Sequence, residues 1–419
     1  MRIAVIAPGS QGDVQPFLAL GNGLVKAGNY VRLVTNQNYE KQVEYHGLEF
    51  CPIEVNMEDI IRSEKMREVL ESGKLLTSMA RMGKELRENA ALLAKRSLEA
   101  CREMDIVMTG ISGLFTANSI AEKLGIPLIQ ALNIPFTITK AFAGALLPKF
   151  PRWLGGYRLS HRLTRQIVWQ AYRPTDKVIR EQVLGFSKSS FFGPFKSDSL
   201  KNGPIIYGIS PSVFSRPDDW TKNIHITGFW SLDPPDNWSP PSFLTEFLQD
   251  EPLPLYIGFG SMSSKSPEET AKMVFQALNN TNQRAVVYSG WGGLSKTELP
   301  DNVLMVESVP HSWLFPRVRA VIHHGGAGTT AAGLKAGVPS VVVPFHGDQP
   351  FWGHMIEKLG VGPKPIPRKK LSIIRLVNAI EKVINDKEMS ENATRLSSEI
   401  QAENGIEEAV SIINDTINN

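Results

Sequence analysis

The stretch VIHHGGAGTTAAGLKAGVPSVVVPFHGDQP, from Val321 to Pro350, decides the fold. Its apolar opening ends at His324, passes through Gly325, Gly326 and Gly328, and reaches Thr329 and Thr330 before a run of small and apolar residues. That is the pattern of a buried strand, a turn of bare main chain and a helix start. A second apolar run, Ser340 to Val343, follows the helix and leads into PFHGDQP. Strand, helix and strand in this order make a parallel pair, so the glycine turn and the Asp348–Gln349 pair emerge at the same carboxyl edge of a sheet.

The same grammar repeats along the chain. Short runs rich in Val and Ile at Ile3–Ala7, Tyr30–Thr35, Ile106–Thr109 and Pro127–Leu132 alternate with helical patterns such as Phe17–Ala27, which is closed by Gly28. The segment Met57–Cys101 is polar, charged and helical in period. Prolines then crowd between Arg216 and Pro254, which reads as an extended connector. Beyond it, PLYIGFGSM, RAVVYSG, NVLMVES, AVIHHGG and SVVVPF supply five more strands. The expected fold class is α/β, with two doubly wound, Rossmann-like domains facing each other across a cleft. The expected boundaries are 1–224 for the first domain, 225–252 for a linker, 253–388 for the second domain, and 389–419 for terminal helices that either finish the second domain or cross back to the first.

Composition narrows the function. A chain of 419 residues suits two domains. With 45 basic and 42 acidic residues, a net charge of +3 is no nucleic-acid signature. Two cysteines, Cys51 and Cys101, make neither a metal spacing nor a disulfide framework, which fits a reducing cytoplasm. The opening MRIAVIAPG is too short for the apolar region of a signal peptide, and no run reaches the about 20 apolar residues that span a bilayer. The expectation is a cytoplasmic protein, soluble or attached only peripherally to a membrane.

Main-chain N–H groups at a helix start, with a hydroxyl at Thr329 and an imidazole at His324, suit a phosphate. Tight strand-to-helix packing would explain the glycines equally well. Asp348 beside Gln349 pairs an acceptor with a group that both accepts and donates, which suits sugar hydroxyls. As an alternative, Asp348 caps the helix that contains Pro350. Gly260 and Ser261 after the strand YIGF offer a second phosphate-facing turn. Two such turns with a hydroxyl reader point to a nucleotide-sugar, and the first βα turn lacks the GxGxxG of a dinucleotide site. In that turn, PGSQGDVQP, Asp13 lies just before a helix expected to begin near Pro16. It is either a general base for an acceptor hydroxyl or an N-cap.

GSQGDVQPFLALGNGL together with VPHSWLFPRVRAVIHHGGAGTTAAGLKAGVPSVVVPFHGDQPFWG resembles the UDP-glycosyltransferases of the GT-B fold. The match is strongest with the branch that glucosylates sterols and looser with the branch that glycosylates bacterial natural products. The resemblance implies that Ser261, His324, Gly326, Gly328 and Thr329 hold the donor diphosphate and that Asp348 and Gln349 read the sugar. It places Val309 beside the uracil, with Trp291 as a wall of that pocket, and makes Asp13 the catalytic base. Ala332 stands where plant members carry a ribose-binding Glu, so donor choice between UDP- and dTDP-sugars stays open. The implied chemistry is metal-independent and inverting, with no cofactor beyond the UDP-sugar co-substrate. Glucose would move from UDP-glucose to a hydroxyl of a sterol-like lipid or, alternatively, of a polyketide, carotenoid or other secondary metabolite. A UDP-N-acetylglucosamine epimerase and a non-catalytic nucleotide-sugar-binding protein are the rivals from other classes.

From Pro135 to Thr175 there are seven Lys or Arg residues and no Asp or Glu, interleaved with Phe136, Phe142, Phe150, Trp153, Tyr157 and Trp169. This stretch either lies on an anionic membrane surface or lines an acceptor pocket, with its cations in water.

Overall fold

The computed structural model describes residues 1–53, 75–259, 267–288 and 299–418. They form two compact units, one of residues 1–53, 75–232 and 403–418, the other of the described residues from 233 to 402.

The first unit is built on seven parallel strands: β1 (Arg2–Ile6), β2 (Tyr30–Asn36), β3 (Glu49–Ile53), β4 (Ile106–Thr109), β5 (Leu128–Leu132), β6 (Ile205–Tyr207) and β7 (Ile224–Ile226). Their order across the sheet is β3-β2-β1-β4-β5-β6-β7. Ile3 of β1 sits between Val31 and Ile106, and Ile3 through Ile6 are wholly buried. Apolar side chains on both faces are what a strand covered by helices on each side requires. Strand order reverses between β1 and β4, so the loops leaving these two strands flank the crevice where such sheets take ligands.

Asp13 is held by the first of those loops. Helix Gln11–Lys26, with Ser10 as its N-cap, begins earlier than the sequence suggests, and Pro16 sits in its second turn. Proline there leaves the Gly12 carbonyl without its helical N–H, and Asn133 Nδ2 donates to that oxygen at 3.2 Å. Phe17, Leu18, Leu20 and Leu24 bury the inner face of this helix. Helix Gly405–Asn418 packs into the same core through Ala409, Val410 and Ile413. The approach to it is fixed at Glu403, whose Oε1 accepts from the hydroxyls of Ser210 and Ser212 at 2.6 and 2.9 Å.

The second unit has five parallel strands: β8 (Leu255–Gly258), β9 (Ala285–Tyr288), β10 (Val303–Val306), β11 (Val321–His323) and β12 (Ser340–Val342). Their order is β10-β9-β8-β11-β12. The reversal here falls between β8 and β11, and the glycine turn of the opening stretch leaves β11. The α/β architecture with two parallel sheets is thus the one the alternating pattern predicts.

The proline-rich stretch 216–254 departs from its reading as a connector. It contains β7 and helix Ser242–Gln249, buries Trp220 and Trp230 in the first unit, and buries Leu244 in the second. Its prolines separate folded elements. The helical pattern from Met57 to Cys101 is realised as Leu75–Glu88 and Ala90–Cys101, and its first part lies outside the described residues.

Candidate active site

In the first unit, Asp13 is the third residue of its helix. Its carboxylate Oδ2 accepts from the Ser10 N–H at 2.9 Å and the Ser10 hydroxyl at 3.0 Å. Ser10, rather than Asp13, is the N-cap, and Asp13 completes a capping box. Burial pushes the Asp13 carboxyl above its usual range, while hydrogen bonds from Ser10 and from the Ser112 hydroxyl pull the other way. Both Ser10 bonds fall on Oδ2. Gly9 keeps this arrangement open, because a Cβ there would overlap the carboxylate. The group faces a cavity of about 170 Å³ lined by Asp13, Phe17, Ser112, Asn133, Ile134 and Trp230 among others. An acid lifted by burial, beside an apolar recess at the switch point, can take a proton from a hydroxyl seated there.

In the second unit the three glycines have different reasons. Gly325 has φ +89°, and a Cβ would lie 2.7 Å from Val342 Cγ1. At Gly326, the N-cap of helix Ala327–Ala336, a Cβ would lie 2.5 Å from His324 Nε2. Gly328 is exposed, and a Cβ there would meet no atom of the described residues within 4 Å. Packing among the described residues therefore explains the first two and not the third. The Thr330 hydroxyl is spent on the Gly326 carbonyl at 2.9 Å. Thr329, half-buried in the same turn, sits where the first N–H groups of the helix lack helical partners.

His323 is fully buried and accepts the Gly325 N–H on Nδ1 at 3.1 Å, which holds the turn from below. His324 is pushed down to about 4 by burial, then by neighbouring His346 and His311, against a hydrogen bond to the Gly258 backbone. Its imidazole is neutral at neutral pH, so it meets a phosphate not as a cation but as a donor only where its single N–H turns from the Gly258 carbonyl to the phosphate.

Asp348 occupies the N-cap of helix Gln349–Lys358, but its side chain bonds no helix N–H. Oδ2 accepts instead from Trp352 Nε1 at 2.9 Å. The Gln349 Oε1 accepts from the N–H groups of Phe345 and His346 at 2.8 and 3.2 Å, which leaves its amide N–H₂ as the group it can offer. Val309 is half-buried between β10 and helix His311–Leu314, packed against the cluster of Tyr256, Leu314 and Phe315. Ser261 and Trp291 lie outside the described residues. The structure thus brings His324, Gly326, Gly328, Thr329, Asp348 and Gln349 to the carboxyl ends of β11 and β12. Sequence reasoning passed over Ser112, Asn133 and Trp352. Ser112 was within reach, since it follows the strand opposite β1 at the switch point.

Among the described residues no group of three His, Cys, Asp or Glu is placed to hold a metal ion.

Two family descriptions match the chain: "Glycosyltransferase family 28 N-terminal domain" over residues 3–143 and "Erythromycin biosynthesis protein CIII-like, C-terminal domain" over residues 274–415. Among solved structures, the glycosyltransferase SsfS6 of Streptomyces sp. SF2575 superposes with a TM-score of 0.64 at 21% identity, covering 99% of each chain. The glycotransferase of kitacinnamycin gives 0.70 at 18% identity, covering 99% of this chain and 98% of that one. The architecture is that of the GT-B glycosyltransferases.

Two sterol 3-beta-glucosyltransferases of Arabidopsis thaliana are 37% and 34% identical to 98% of this chain. One from Saccharomyces cerevisiae is 33% identical over a similar span. The chain covers 64% and 67% of the two plant proteins and 35% of the yeast one. It belongs to the UDP-glycosyltransferases of the GT-B fold, in the branch of the sterol 3-beta-glucosyltransferases.

Proposed function

We propose that the chain transfers glucose from UDP-glucose to the hydroxyl of a sterol or similar polycyclic lipid, with inversion at the sugar. In this reading the first unit carries the acceptor and the second the donor. The observation that carries it is the Asp13 carboxyl, raised by burial and fixed by Ser10 on the wall of an apolar cavity. Such a group is matched to a hydroxyl acceptor whose remaining surface is hydrophobic.

The acceptor oxygen attacks the anomeric carbon, the bond from that carbon to the β-phosphate oxygen breaks, and UDP leaves. The hydroxyl proton passes to Asp13. Charge developing on the diphosphate is met by the N–H groups opening helix Ala327–Ala336, by the Thr329 hydroxyl and by neutral His324. Asp348, turned by Trp352, accepts from the sugar, and Gln349 donates to it. Ser261, Val309 and Trp291 complete the donor pocket in this proposal. The structural neighbour SsfS6 was solved with thymidine diphosphate, which supports a nucleoside diphosphate as the ligand proposed here.

We also propose that the protein works in the cytoplasm at a membrane surface, where such an acceptor resides. Its two cysteines are free thiols, which suits a reducing compartment.

The test offers UDP- and dTDP-sugars against sterols, polyketides and carotenoids and reads the mass of the product. A hexose gained by a sterol from UDP-glucose supports the proposal, and donor turnover without acceptor refutes it.

A further inference from the structure

Helix Gly156–Lys177 of the first unit is packed on one side. Trp169 and Tyr172 turn inward onto Phe115, with ring centroids 5.0 and 5.2 Å from it. Apolar groups outside the helix stand in water. Just before its start, Trp153 is 84% exposed and Leu154 49%; farther along, the turn with Phe191 and Phe192 leaves these rings 55% and 73% exposed.

That turn is built to hold its rings outward. The Phe191 carbonyl accepts from three side chains of the helix, Gln166 Nε2 at 3.2 Å, Trp169 Nε1 at 3.0 Å and Gln170 Nε2 at 2.8 Å. Within the turn, Phe192 N–H donates to Ser190 Oγ at 3.1 Å and Gly193 N–H to the Ser190 carbonyl at 3.0 Å. The Arg173 guanidinium lies 4.9 Å from the centre of the Phe191 ring. Exposed phenyl rings fixed by a clamp of side-chain donors are costly in water and suit an apolar partner.

The surrounding charge says which partner. Exposed Lys149, Arg152 and Arg162 flank Trp153 and the helix, and exposed Lys188 precedes the turn. Among the described residues none of the four has an ion-pair partner, whereas Arg158 meets Asp219 at 3.1 Å and Lys177 meets Glu181 at 3.9 Å. Exposed rings beside unpaired cations match the interfacial zone of an anionic bilayer, apolar below and phosphate above. Among the described residues no helix is long and apolar enough to cross a membrane, so the contact would be peripheral. From the turn, Phe195 reaches Phe136 at 6.3 Å between ring centroids, and Phe136 follows Asn133 and Ile134 of the cavity wall.

We propose that this face docks on an anionic lipid surface, with Phe191, Phe192 and Trp153 entering the headgroup region and Lys149, Arg152, Arg162 and Lys188 meeting lipid phosphates. The inference rests on the lipid-acceptor reading only for the reason a membrane matters. It adds the 190–193 turn as the anchor.

The experiment is co-sedimentation of the full chain with phosphatidylcholine vesicles, with and without phosphatidylglycerol, read without any turnover. The wild type should bind the anionic vesicles and bind less in high salt. Phe191→Ser with Phe192→Ser should lower the partition coefficient about tenfold, equal to about 1.4 kcal/mol. Arg152→Glu with Arg162→Glu should remove the preference for phosphatidylglycerol. The phenylalanine double variant should keep wild-type transfer to detergent-dispersed sterol and lose transfer to sterol in vesicles. Wild-type protein that ignores both vesicles, or a ring variant that binds as well as wild type, overturns the docking face. So does a wild-type dimer that the ring variant converts to monomer, since a second copy would then cover the rings. Failure of transfer in detergent by every form would instead refute the proposed reaction and leave vesicle binding to be judged by sedimentation.

Discussion

Replacing Gly328 with alanine should make the protein more stable and less able to bind its donor. A Cβ at this position meets no atom of the described residues within 4 Å, and the residue lies in the first turn of helix Ala327–Ala336. Alanine in place of glycine in a helix stabilises by about 0.5–1 kcal/mol, because glycine loses more backbone freedom on folding. Nothing among the described residues offsets that gain. A ligand seated on the bare turn would meet the new methyl group directly, and overpacking of this kind costs about 1–3 kcal/mol. UDP should therefore bind roughly 5- to 150-fold more weakly. The contrast with its neighbours sharpens the expectation: Gly325→Ala forces a side chain onto φ +89° and Gly326→Ala strikes His324, so both should destabilise. Scanning calorimetry gives the stability and titration calorimetry with UDP gives the affinity. A variant that is more stable yet binds UDP as tightly as wild type would refute the reasoning that this glycine is kept for a ligand.

Asp13→Asn removes the base while keeping the size of the side chain, and turnover should fall by about 10²–10⁴ with UDP affinity unchanged by calorimetry. Because burial raises the Asp13 carboxyl, the acid limb of the wild-type kcat/KM profile should lie above the usual aspartate range, with activity rising as the carboxyl ionises. Trp352→Phe frees Asp348 from the indole N–H, and KM for UDP-glucose should rise severalfold while UDP itself binds as before. His161, His311, His324 and His346 are each held down to about 4 by burial. The unfolded chain then binds more protons than the folded one between about pH 6.5 and 4, so denaturant titrations should show stability falling as pH drops through that window.

The sheet-forming strands were legible where they are buried on both faces, since runs such as Ile3–Ile6 and Ile106–Thr109 are continuous apolar stretches. Strands β3, β6 and β7 escaped the reading. β3 carries Pro52, tolerated because it lies at the sheet edge, while β6 and β7 have three residues each, too few to show a period. Pro16 misled the placement of the first helix: proline favours a helix start, yet here it sits in the second turn because Asn133 takes up the carbonyl it strands. The donor turn was legible as a whole, but glycine spacing does not separate Gly325 and Gly326, demanded by packing, from Gly328. Asp348 looked like a cap or a sugar ligand in sequence. Its bond to Trp352 shows the carboxylate turned away from the helix N–H groups, a pairing four residues apart that spacing alone did not single out.

The stereochemistry of the product tests the central claim most directly. UDP-glucose carries its sugar in the α configuration, and attack from the face opposite the leaving diphosphate, with Asp13 drawing off the proton, requires a β-linked glucoside. Proton NMR of the purified product from UDP-glucose and a sterol should show the large anomeric coupling of a β-glucoside, formed about 10²–10⁴ times more slowly with Asp13→Asn. An α-linked product, or a β-glucoside formed as fast without the Asp13 carboxylate, would contradict the account.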